Sequence, residues 1–300
     1  MIRLSSAIDV LASISHARYV GVLAYTLRHG PVFGALEAAA GRGARVKVCI
    51  EGTPYGDANG ALGLHNRRMV DELRRFGVDA RLAHAGGADT REPPVHAKAL
   101  VADDCLYLDD RNWGAKDLIV TDDDARAVRA VTEAVDGNVR FDASSSAFAI
   151  QKRSALAREA ELLRGARIGD NVILETESFG YDNPVYDALD ELGKRGITPR
   201  LLVCGREMKT NEREKAALTR LARDGVAVRV TASTEKFALA GARAWIGSAN
   251  ASPAFGHPDI IDWGACTTDA ATVAAARERV EAHWTSAESF SRQGTLRARA

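Results

Sequence analysis

Three hundred residues suffice for one large domain or two moderate ones, and 46% hydrophobic with 27% charged residues excludes a disordered or fibrous chain. Forty basic residues balance forty acidic ones, so no global field draws the protein to nucleic acid or an anionic membrane, although a local basic patch stays open. Only 8 of the basic residues are Lys, which gives weight to those inside motifs. The cysteines (Cys49, Cys105, Cys204, Cys266) form no C-x-x-C pair and read as reduced core residues. Ser and Asp interrupt the apolar residues of the opening MIRLSSAIDVLASIS, so no cleavable signal is expected there. No stretch approaches the roughly 18 apolar residues of a membrane span. The expectation is a cytoplasmic protein without stable membrane insertion.

In chain order, the elements read twice. Residues 20–52 hold a β-rich run, a polar turn, Pro31 opening a helix, an Arg42-Gly43 stop and a second β-rich run. Residues 172–205 repeat this with Pro184 and Arg195-Gly196, and setting Arg45 on Arg200 aligns Cys49 with Cys204. The segment Gly56–Gly63 (GDANGALG) lacks the P-loop and dinucleotide fingerprints and reads as a surface loop or a flap. A helix, a Gly stop and a strand follow at 65–82 and again at 211–229. The basic face of the first of these helices (Arg67, Arg68, Arg74, Arg75) reads as solvated. An irregular stretch at 83–94 offers His84 and Arg91 as rim contacts. Residues 96–112 then align without a gap on 234–250, at a constant offset of 138, and helices are expected at 123–135 and 269–284. Gly137 and Ser144-Ser145-Ser146 make 136–155 a linker. The order β-α-β-α-β-β-α in each half predicts an α/β fold of two similar halves, 1–140 and 141–300, each a mixed sheet covered by helices. Two such halves are expected to pair about a pseudo-twofold and share a cleft.

The chemistry lies in the gap-free stretch. The first half carries His96, Lys98 and Asp103, followed by Asp109-Asp110-Arg111-Asn112. The second carries Thr234, Lys236 and Gly241, followed by Gly247-Ser248-Ala249-Asn250. Alternation along a strand puts His96 and Lys98 on one face, able to enter one cleft together. The pattern H-x-K-x4-D followed by G-S-x-N resembles that of the phospholipase D superfamily, complete at His96 and degenerate in the second half. The resemblance implies phosphodiester hydrolysis or transfer through a phosphohistidine on His96, without a metal or cofactor. It implies that Lys98 and Lys236 supply charge, and that Asn112, Ser248 and Asn250 donate to the phosphate oxygens. Asp103 takes a supporting structural place in that scheme, and Asp117 or Asp262 would orient a ring nitrogen. Superfamily substrates include phospholipid headgroups, nucleic acids and small diesters, and pocket shape decides among them.

Thr234 cannot serve as acid or base near neutral pH, and Gly241 removes the acid of its half. Asp109 and Asp110 stand where the other half has Gly and Ser. They read either as negative charge close to a bound phosphate or as a solvent-facing turn. Three readings follow. In one, His96 attacks and an unconventional acid (Glu177, Glu235 or His257) protonates the leaving group. In another, two chains associate so that two copies of His96 meet. In the third, turnover is lost and a phosphate-binding pseudoenzyme with a regulatory or binding role remains. His283, beside Trp284 in the last helix, reads as a packing or surface residue. The oligomeric state is left open by the sequence.

Overall fold

The computed structural model of the protein describes residues 1–85, 92–114, 116–139, 147–208, 211–253 and 259–290. Arg91, Ser144-Ser145-Ser146 and His257 lie outside the described residues. The chain divides into two compact units, Met1–Lys152 with Gly256–Trp263, and Arg153–Phe255 with Gly264–Ala300. The elements of the first repeat are β1 (Arg3–Ser5), α1 (Ala7–His16), β2 (Tyr19–Ala24), α2 (Pro31–Gly41), β3 (Arg45–Glu51), α3 (Ala61–Arg75), β4 (Asp79–Ala83), β5 (Ala99–Ala102), β6 (Cys105–Asp109), β7 (Ile119–Asp122) and α4 (Ala125–Val135). The second repeat runs β8 (Phe148–Gln151), α5 (Lys152–Arg164), β9 (Val172–Thr176), α6 (Pro184–Lys194), β10 (Arg200–Cys204), α7 (Gly205–Met208) and α8 (Glu212–Arg223). It continues with β11 (Ala227–Thr231), β12 (Phe237–Ala240), β13 (Arg243–Gly247), β14 (Ile261–Thr267), α9 (Ala270–Ser286) and β15 (Glu288–Ser289).

Two mixed sheets result, ordered β1-β7-β6-β5-β2-β3-β4 and β8-β14-β13-β12-β9-β10-β11-β15. The orders are the same apart from the added β15, and the pairing registers repeat as well. Leu23↔Ala99 has its counterpart in Glu175↔Phe237, Ala99↔Leu108 in Phe237↔Ile246, and Asp109↔Ile119 in Gly247↔Gly264. One sequence alignment is corrected by these registers. Ala24 pairs with Ile50 and Thr176 with Val203, so Cys204 is the equivalent of Glu51 rather than of Cys49. The slip is two residues, which keeps the strand face and so leaves the hydrophobic pattern unchanged.

Local chemistry accounts for the elements. Pro31 and Pro184 open α2 and α6, where a missing N–H costs nothing, and Asn183 caps α6 by accepting from the Val185 and Tyr186 amides. The stops at Gly43 (φ 87°) and Gly196 (φ 77°) use the left-handed conformation that glycine adopts without strain. The parallel strands β2 and β3 read as near-continuous apolar runs because both faces are buried; they pack on α1, α2 and α3 through Val22, Val48, Leu36 and Leu73. The helix at 65–82 begins earlier than expected, at Ala61, so Gly63 belongs to α3 and not to a flap. Arg67, Arg68, Arg74 and Arg75 are exposed, as a solvated face requires. The expected linker at 136–155 is corrected at its end, where β8 and the start of α5 occupy 148–155. Among the described residues no helix is long and apolar enough to cross a membrane.

Helix α5 carries a polar anomaly. Glu159 is fully buried, its Oε2 finds no hydrogen-bond partner among the described residues, and burial pushes its carboxyl well above the ordinary value of 4.5. The folded protein therefore holds a proton that the unfolded chain releases above that value. This contribution is fully present below pH 4.5 and is lost as pH rises toward the folded value. Glu159→Gln is expected to gain on the order of 1 kcal/mol over wild type at pH 8 and nothing at pH 4. Urea melts at the two pH values check this; equal gains at both would remove ionisation as the cause.

Candidate functional site

The site in the first unit starts from backbone. Residues 94–97 are not in regular structure, yet they are held on both sides. Val95 pairs in parallel with Ile261; the His96 and Ala97 amides both donate to the Ile261 carbonyl at 2.8 Å, and the Ile261 amide returns a bond to Pro94 at 2.9 Å. Glu51, buried at the end of β3, accepts the Val95 amide on Oε2 at 2.6 Å. Its Oε1 accepts the Thr53 amide (2.8 Å) and hydroxyl (2.9 Å), and the Thr53 hydroxyl accepts in turn from His84 Nδ1 at 2.6 Å. Asn66 on α3 ties the Glu51 carbonyl to that of Tyr25. A charged acceptor meeting several buried donors makes this segment rigid.

The His96 ring is thereby presented with defined partners. Nδ1 lies 3.1 and 3.2 Å from the two carboxylate oxygens of Asp262, and Nε2 lies 3.2 Å from Lys98 Nζ. An ammonium can only donate, so the bond at Nε2 needs a lone pair there, which places the ring proton on Nδ1 facing Asp262. Burial alone would raise the Asp262 carboxyl. The interaction with His96, which is cationic when protonated, together with the charges of Lys98 and Lys152 outweighs it and holds the carboxyl down at about 2. Lys98 also donates to the His96 carbonyl at 2.6 Å and lies 5.4 Å over the Tyr25 ring, whose edge meets the imidazole at 5.0 Å. The Tyr25 hydroxyl accepts the Tyr55 amide. The His96 side chain is 23% exposed, while that of Asp262 is 2% exposed. This is a histidine with one nitrogen held by a buried carboxylate and the other beside a cation.

The other candidates of this unit lie in supporting places. Asp103, at φ 50° in the β5–β6 turn, accepts the Arg18 and Tyr19 amides; Gly241 takes the same turn position at φ 59°. Asp109 and Asp110 are wholly buried, which corrects the solvent-facing turn. They cap their own loop: Asp109 accepts the Arg111 and Trp113 amides, and Asp110 accepts that of Leu118. Burial, followed by the nearby Asp110 and Asp117, pushes the Asp109 carboxyl well above the usual range. Asn112 is exposed, and its amide donates to Asp117. Asp117 and Asp262 each stand two residues ahead of the strand residue that pairs with position 109 or its counterpart 247, so they are repeat equivalents. Asp262 meets a histidine; Asp117 binds Arg111 at 2.8 Å and the Asn112 and Gly114 amides.

In the second unit Lys236 copies the Lys98 conformation. Its Nζ donates to the Thr234 carbonyl at 2.8 Å and pairs with Glu177 at 3.1 Å. Ser248 is buried, and Asn250 Oδ1 lies 3.4 Å from the Ser178 amide. Glu235 is buried and salt-bridged to Arg279, and His283 pairs with Glu175 instead of lying idle on the surface. Glu51, Tyr25, Tyr55 and Asn66 escaped the sequence reading. Only Glu51 gave a usable signal, an acid closing an otherwise apolar strand.

No protein-family model and no curated protein sequence matches the chain. Among solved structures it is similar to polyphosphate kinase from Porphyromonas gingivalis, at 17% identity and TM-score 0.61, over 95% of this chain and 50% of that one. It is also similar to phosphatidylserine synthase from Haemophilus influenzae Rd KW20, at 12% identity and TM-score 0.64, over 96% of this chain and 89% of that one. These likenesses are of fold: the chain folds as these two proteins do. The chain spans half the length of the polyphosphate kinase. Within this fold the strand order appears twice, as the internal repeat requires.

Proposed function

We propose that the protein is a phosphodiesterase of phospholipase D type in which His96 Nε2 is the nucleophile. The observation that carries this reading is the His96 ring, its proton directed to Asp262 and its Nε2 lone pair beside Lys98, whose ammonium turns to the phosphate when Nε2 attacks. Nε2 attacks phosphorus, the bond from phosphorus to the leaving oxygen breaks, and that oxygen leaves with a proton from an acid or from water. Water then cleaves the phosphorus–nitrogen bond and restores the imidazole. Asp262 stabilises the positive ring between the two steps, and Lys98 offsets the phosphate charge. Lys236, Ser248, Asn250 and Asn112 enter the proposal as phosphate ligands on the repeat pattern alone. No residue of this scheme needs a cofactor. The substrate class is a phosphodiester, which includes phospholipid headgroups, nucleic acids and small diesters.

A second reading has its own observation. Thr234 stands at the repeat position of His96, and Lys236 is paired with Glu177. A protein that holds phosphate without turning it over fits this arrangement. Turnover of bis(p-nitrophenyl) phosphate in the presence of a chelator separates the two. Its leaving group departs with little protonation, so a missing acid matters little. Hydrolysis by wild type that vanishes in His96→Ala supports the phosphodiesterase. A wild type inert even toward this ester leaves the binding protein.

A further inference from the structure

The second unit departs from the first repeat at two buried positions that meet in space. Register makes Glu175 the equivalent of Leu23, and the gap-free alignment makes Glu235 the equivalent of Ala97. The first repeat thus has two apolar core residues where the second has two acids, both buried. Above them α9 brings His283, whose Nδ1 lies 2.9 Å from Glu175 Oε2 and 3.9 Å from Glu235 Oε2. Glu175 is 0% exposed, and its other oxygen, Oε1, has no hydrogen-bond partner among the described residues. Burying a carboxylate with one oxygen unsatisfied is costly, and an apolar residue served the same place in the other repeat.

We propose that Glu175, Glu235 and His283 bind a zinc ion that fastens α9 to the sheet. The three ligand atoms lie within 4.8 Å of one another. Tetrahedral zinc ligands at about 2.0 Å from the metal stand about 3.3 Å apart, a value bracketed by the separations of 2.9 and 3.9 Å. One imidazole with two carboxylates suits zinc, whereas calcium and magnesium take oxygen donors. Arg279 binds Glu235 Oε1 at 2.5 Å and leaves Oε2 toward His283, the kind of outer contact that orients a ligating carboxylate. Zinc takes the place of the proton that His283 now shares with Glu175, and water completes the coordination. The ion ties β9, Glu235 two residues ahead of β12, and α9 to one point, and it fixes the backbone immediately before Lys236. Its role is structural, and the His96 chemistry does not depend on it.

The experiment titrates zinc chloride into the chelator-stripped, desalted full chain, by calorimetry and by thermal melts. The expected result is one zinc per chain with a raised melting temperature. Both effects should persist in His96→Ala, and affinity should fall about 10- to 100-fold or more in Glu175→Gln and in His283→Gln. His283 is partly exposed, so its variant retains the fold even where Glu175→Gln does not. Absence of a melting shift in wild type, or a shift that both variants keep, would overturn the proposal and leave an ion-pair network without a metal.

Discussion

Asp262→Asn is expected to lower kcat on an activated phosphodiester by about 10²- to 10⁴-fold, with KM little changed, against complete loss in His96→Ala. The reason lies in the proton on the ring. Asp262 accepts from Nδ1 and so keeps the lone pair on Nε2, the nucleophile of the proposed mechanism. An asparagine can turn its amide toward Nδ1 and donate, which moves the ring proton to Nε2 and removes the nucleophile. It also withdraws the negative charge that stabilises the ring once Nε2 carries a phosphoryl group. Asp262→Glu should recover part of the rate, because a carboxylate returns at imperfect geometry. The carboxyl also leaves a mark on stability. It is held at about 2 against an ordinary 3.8, so it stabilises the fold above pH 3.8, an effect lost as pH falls through 2. The shift corresponds to about 2 kcal/mol. Acid unfolding of Asp262→Asn should therefore lack that share of the wild-type slope. A variant with the altered acid limb and wild-type kcat would make Asp262 a structural residue alone, and the proposed mechanism would lose its orienting group.

The sequence exposed the repeat because its marks are local. Pro31 and Pro184, the Arg-Gly stops, and the gap-free stretch through His96 and Thr234 each act within a few residues. Strands β1, β7 and β8 were missed for the converse reason: each has only three or four residues, and pairing rather than propensity makes it a strand. At the site, the two-residue spacing brought His96 beside Lys98, but both precede β5, which corrects the expectation that they share a strand face. The partner at Nδ1 lies 166 residues further along the chain. Sequence pattern treated Asp117 and Asp262 alike, and the registers show that they are equivalents. They differ in what faces them: Asp262 meets His96, and Asp117 meets Arg111 and the amides of its own loop. The burial of Asp109 and Asp110 was equally illegible, since acids after a strand usually face water and their amide donors come from the loop they close.

Glu51→Ala is expected to destabilise the protein by about 3–5 kcal/mol, the range for stranding partners of a buried charged acceptor. The Val95 amide, the Thr53 amide and the Thr53 hydroxyl would lose their acceptor together, in a place that water does not reach. Glu51→Gln should cost less, since the amide oxygen still serves Thr53. Its NH2 group, however, would then point at the Val95 N–H, donor against donor. Val95 immediately precedes His96, so a Glu51→Gln protein that folds should also turn over more slowly than wild type when compared per folded molecule. Urea melts followed by turnover well below the transition separate the two losses. The second repeat supplies an internal comparison: where His96 is replaced by Thr234, Glu51 is replaced by Cys204, which offers no carboxylate to hold the preceding backbone. The buried acceptor accompanies the histidine it positions. A Glu51→Gln variant with wild-type stability and wild-type kcat would break that link and return Glu51 to the role of a strand cap.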